Sequence, residues 1–120
     1  MRVLAIWLAL GLVACSKASA ATDDAAARTL ALRLIDVLER DDLVGWRELF
    51  SARLRARTDD AELRRLFDTW RTFILPHADA LRAADWTARN DIVRYRTVGA
   101  QPTRLARVVE EQGALRIDEH

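Results

Sequence analysis

A single cysteine, Cys15, stands among 120 residues, so no internal disulfide can form in any compartment. The only histidines are His77 and the terminal His120, and no His/Cys cluster has metal-ligand spacing; neither a metal nor any other cofactor is expected. Glycine, at four residues, and proline, at two, are scarce. No long Gly, Ser or Pro tract divides the middle of the chain, which excludes a linker between two domains. Lysine is almost missing: Lys17 is alone among arginines, as GC-rich coding produces, and no function follows from it. The longest uncharged apolar run, residues 3–13, has eleven residues, whereas a bilayer-spanning helix needs about twenty. Neither sign of charge dominates either. Removing residues 1–14 takes away only Arg2 and leaves 18 basic residues (19 − 1) against 18 acidic ones, with no basic stripe of the kind nucleic acid requires.

What is present is the composition of a folded protein, 51% apolar and 31% charged, with length for one core. Arg2, the apolar run and the small Ala14 together form a secretory signal peptide. Leu12-Val13-Ala14-Cys15 resembles the lipobox of bacterial lipoproteins. That resemblance implies cleavage between Ala14 and Cys15, a diacylglyceryl group on the sulfur and an acylated amine, so that residues 1–14 are leader and 15–23 a lipidated cysteine and tether. Two or three acyl chains anchor persistently where one is marginal. In that class an Asp after the cysteine retains the protein at the inner membrane. Ser16 stands there, so the implied address is the outer membrane, periplasmic face, with the outer face of the cytoplasmic membrane as the alternative for a one-membrane host. An ordinary secretory peptide cut after Ala14, Ala18 or Ala20, or an uncleaved anchor, also fits the run. The tether, SKASAATD, has no residue large enough to pack and reaches roughly 26 Å at full stretch.

Three amphipathic segments follow, each opened by an acidic pair. Asp23-Asp24 precedes a helix carrying Leu30, Leu34, Val37 and Leu38; Asp41-Asp42 precedes one carrying Leu43, Trp46, Phe50 and Leu54, weakened at Gly45. The third starts at Asp59 with Glu62 three residues on, an acidic capping box, and carries Leu63, Leu66, Phe67, Trp70, Phe73 and Ile74 until Pro76 stops it. Beyond Asp85 the period becomes two. Trp86 and Ala88, then Val93, Tyr95 and Thr97, then residues 105–111, then Leu115 and Ile117 predict three or four antiparallel strands, with turns at residues 99–102 and Gln112-Gly113. The expectation is one α+β domain over residues 24–120, three N-terminal helices packed on a three- to four-stranded antiparallel meander. Leu38-Glu39-Arg40-Asp41-Asp42-Leu43 in a helical hairpin and Gly113-Ala114-Leu115-Arg116-Ile117-Asp118 in a closing strand resemble the nuclear transport factor 2-like (cystatin-like) fold over most of residues 24–120.

Chemistry-bearing residues are few. His77 and Asp79 follow the third helix closely enough to touch, as a general base would require, and otherwise form a solvated turn. Asp85 beside Trp86 is either a carboxylate raised in pKa by an aromatic wall or a loop residue next to a core indole. Arg94, Arg96, Arg104, Arg107 and Arg116 share one sheet face, a surface for phosphorylated glycolipid or an acidic protein, unless Asp91, Glu110, Glu111 and Asp118 compensate it across the strands. The sequence therefore points to a lipid-anchored envelope protein with a small non-enzymatic binding or accessory domain, held to the membrane by its lipid and to a protein partner by its surface. Two alternatives remain: an inhibitor or immunity lipoprotein that presents its 99–104 turn to a periplasmic hydrolase, and a nuclear transport factor 2-like enzyme using His77, Asp79 or Asp85.

Overall fold

The computed structural model describes residues 23–119. The leader, Ala14, Cys15 and the tether up to residue 22 lie outside the described residues, as does His120.

Each acidic pair divides its work between a helix end and another element. Asp23 caps α1 (Asp24–Glu39) by accepting from the backbone N–H of Ala25 at 2.9 Å. Asp24 instead reaches the sheet, accepting from the Ala88 N–H at 3.2 Å and from Arg89 at 2.5 Å. Asp41 takes the left-handed conformation, φ 56°, that ends α1 and meets Arg71 at 3.4 Å, while Asp42 caps α2 (Leu43–Glu48) through Gly45 N–H. Asp59 caps α4 (Asp60–Ile74) through Glu62 N–H, and Asp60 faces Arg47 of α2 at 3.9 Å.

The second segment is not one helix. It divides into α2 and α3 (Ala52–Arg57), because the backbone between them pairs with the sheet. Ile117 N–H donates to Leu49 O at 2.7 Å and Ser51 N–H to Ile117 O at 2.8 Å, so Phe50 forms a parallel bridge to Ile117. Trp46, Phe50 and Leu54 are all buried, and helical spacing among them persists through a break that local sequence does not show. A further correction follows α4. Pro76 sits in a 3-10 turn, Leu75–His77, and a short helix α5 (Ala78–Ala83) occupies the stretch the periodicity left unassigned. Five α-helices, not three, therefore precede the sheet among the described residues.

Four antiparallel strands lie in chain order: β1 (Asp85–Arg89), β2 (Ile92–Arg96), β3 (Thr103–Glu111) and β4 (Ala114–Ile117). Asn90-Asp91 and Gln112-Gly113 hold positive φ at both positions, as tight two-residue hairpins require. Asn and Asp tolerate that region better than other side chains. Val93 pairs with Ala106 but Arg94 with Arg104, so Leu105 is the extra residue of a bulge.

The inner face of the sheet, with Trp86, Ala88, Val93, Ala106, Val108, Leu115 and Ile117, packs on the helices. At the centre Trp46 meets Phe50, Phe67 and Trp70 edge to face at 5.0, 5.8 and 5.1 Å between centroids. The outer face carries no helix among the described residues; Arg96, Arg104 and Arg107 are exposed there, and Arg94 and Arg116 are half-buried.

Candidate binding surfaces

The side chains singled out for acid-base work do not converge. His77 and Asp79 are exposed at the α4–α5 corner, where Asp79 lies 3.6 Å from Arg82. Asp85 is exposed on β1 and pairs across the strands with Arg96 at 3.3 Å. Trp86 turns to the inner face and donates its indole N–H to Leu81 O at 2.8 Å, so the aromatic wall and the carboxylate point to opposite sides of the sheet. Among the described residues no group of His, Cys, Asp and Glu is arranged to hold a metal ion.

A serine, a carboxylate and a guanidinium do meet, at a place periodicity could not show. Ser51, fully buried, donates from Oγ to Asp118 at 2.6 Å and accepts from the Leu54 N–H at 3.1 Å, capping α3. Arg53 donates to both carboxylate oxygens of Asp118, at 3.2 and 2.8 Å, and to its backbone oxygen. Arg53 first, and Ser51 next, hold the Asp118 carboxyl below the usual carboxylate range. The Ser51 hydroxyl gives its proton to Asp118 and a lone pair to the Leu54 N–H, so among the described residues this cluster closes the 49–51 bridge onto β4. Its signal in the sequence is the Ser51 to Leu54 cap spacing, hidden under the longer helical stripe.

The arginines expected on one basic sheet face are divided among different partners. Arg96 is matched by Asp85, and Glu119 lies over Arg104 and 3.7 Å from Arg107. Arg116 turns to the backbone oxygen of Glu48. Arg94 has no hydrogen bond or ion pair among the described residues, and it stands in register directly opposite Arg104.

A second basic surface lies at the β4 side. A groove of about 570 Å³ runs between α1, α2, α3 and the β3–β4 turn, lined by Arg33, Glu48, Arg55, Glu111, Gln112 and Arg116. Glu111 is committed to the N-terminus of α3, accepting from the Ala52 N–H at 3.0 Å. Arg33 and Arg55 carry no ion pair among the described residues and remain available to an acidic group. Arg33 also borders an adjoining cleft of about 160 Å³ formed with Ala26, Leu30, Ala114 and Leu115. Sequence reasoning missed Arg33 and Arg55, because only the fold brings α1 and α3 beside the β3–β4 hairpin.

No described helix is long and apolar enough to cross a membrane. The chain matches no protein-family model, no curated protein and no solved structure.

Proposed function

We propose that this chain is an exported lipoprotein, acylated at Cys15, whose α+β domain is a non-enzymatic module that binds an envelope protein partner near the membrane. The observation that carries the reading is the register of Arg2, the run 3–13, the small Ala14 and the lone Cys15. A folded domain that starts at the Asp23 cap, a few residues past the lipid site, is what such an anchor would hold. Ser16 in place of Asp directs it to the outer membrane with the domain in the periplasm. The helix-then-meander order, with α1 against β1 and β4, supports a nuclear transport factor 2-like arrangement of this domain.

Binding rather than catalysis is supported by how the polar groups are spent. His77, Asp79 and Asp85 face solvent or an arginine, whereas Arg33 and Arg55 face a groove unpaired. Guanidinium groups recognise carboxylates through paired hydrogen bonds, so an acidic segment of a partner protein suits the groove. Growth with a radiolabelled fatty acid tests the anchor: label in the wild-type band that disappears in Cys15→Ser is expected, and an unlabelled wild-type protein would overturn the reading.

A further inference from the structure

We infer that the outer sheet face around the β2–β3 connection, Val98 at its tip with Arg94, Arg96 and Arg104 on its flanks, rests on the phospholipid headgroup layer that holds the anchor. This extends the proposed acylation of Cys15 and depends on it.

Three observations point the same way. Directly opposed like charges destabilise an antiparallel ladder, yet Arg94 faces Arg104 in register, and no carboxylate among the described residues reaches Arg94. Glu119 offsets Arg104 from within the domain, and Arg94 is left for an anion from outside it. Residues 97–103 carry no charge, and Val98 is fully exposed. One exposed valine is ordinary by itself. Here it projects beside Gly99, whose φ of 76° makes the turn, between strands that carry Arg94 without a carboxylate and Arg96 and Arg104 each matched by one, an apolar tip flanked by guanidinium groups as at the boundary between acyl chains and phosphates.

The third observation is where the chain leaves the domain. Asp24 and Arg28 line one groove with Asp85, Trp86 and Arg96, and an adjoining groove joins Asp85 and Arg96 to Val98 and Gly99. Asp24, at the start of the described chain, bonds to Ala88 and Arg89 near the β1–β2 turn, so the N-terminus of the domain lies along the β1 edge, the same edge that carries Asp85 paired with Arg96. Eight residues span at most about 26 Å, which keeps this side within reach of the bilayer. The Arg33–Arg55 groove lies at the other sheet edge, by β4, and stays open to a protein. Guanidinium groups near an anionic leaflet gain from its surface potential and from direct phosphate contacts.

The test uses the full lipidated protein with Val98→Cys, in vesicles of phosphatidylethanolamine and phosphatidylglycerol, labelled at residue 98 with an environment-sensitive dye. Val44→Cys on α2, in the helical layer behind the sheet and 71% exposed, is the control. The expected result is quenching of the residue 98 dye by nitroxide lipids and its protection from iodide, with the opposite at residue 44. Arg94→Glu, which breaks no bond within the domain, is expected to shift the docked population by about fivefold or more toward the undocked. Equal iodide quenching at both positions overturns the proposal. So does protection in native envelopes without protection in pure vesicles, which would make the tip a protein contact. Dye attached to the wild-type protein would instead mark a free Cys15 thiol and overturn the anchor itself.

Discussion

The hydroxyl of Ser51 donates to the carboxylate of Asp118 at 2.6 Å across 67 residues of sequence, and the same oxygen caps α3. Ser51→Ala removes the cap and a partner of a charged group at once, and is expected to cost about 1–2 kcal/mol in urea unfolding. Asp118→Asn carries the pH dependence. Its carboxyl is held below the ordinary range in the folded state, so its stabilisation is present above the unfolded value of about 3.9 and is lost as pH falls through the lower folded value. Wild type should exceed Asp118→Asn in melting temperature at neutral pH, and the gap should close in acid. A gap that stays constant down to strong acid would contradict the assignment.

Gly45→Ala should destabilise the domain although alanine is the better helix former by about 1 kcal/mol. A Cβ at this position would lie 2.5 Å from Oδ2 of Asp42 and 2.9 Å from Cγ1 of Val37. Relieving the first contact displaces the carboxylate that caps α2, and relieving the second moves α1. A net loss of about 1 kcal/mol or more is expected in denaturant melts.

Trp46 is fully buried, and its indole nitrogen has no hydrogen-bond partner among the described residues. Three aromatic rings surround it instead. Trp46→Phe loses volume but also removes a desolvated donor, so the two effects offset and the change should stay within about 1 kcal/mol. Trp46→Ala leaves the cavity without that compensation and should cost about 3–5 kcal/mol.

Arg33→Ala with Arg55→Ala should leave folding within about 0.5 kcal/mol of wild type, because neither side chain holds an ion pair among the described residues and alanine adds no charge beside Glu48 and Glu111. The same pair of changes should abolish crosslinking to the envelope partner in native cells. Retained crosslinking would move the partner site away from the groove.

The α+β class and an antiparallel meander of three or four strands were legible because they follow from period and turn chemistry. Trp86 and Ala88, Val93 and Tyr95, and Leu115 and Ile117 do alternate, and Gln112-Gly113 does turn. The Asn90-Asp91 turn went unread, since neither residue is glycine. The break at Phe50 was hidden for a tertiary reason: the backbone of residues 49–51 bonds to Ile117, whose partner cannot be seen within a helical window. Of the site residues, only the shared face of Arg94 and Arg96 follows from strand alternation; Arg104, in phase with the inward Ala106 and Val108, joins that face through the bulge. The direct opposition of Arg94 and Arg104 was not legible, because the bulge at Leu105 sets it. Arg33 and Arg55 look like ordinary polar-face arginines until α1 and α3 are placed beside the β3–β4 turn.

The most direct test of the account is the mass of the N-terminal peptide from protein extracted out of membranes. Loss of residues 1–14 and a Cys15 carrying a diacylglyceryl sulfur and an acylated amine is the expected result. A peptide that begins at Met1, or a Cys15 with its thiol unmodified, would contradict the anchor and the membrane-facing orientation built on it.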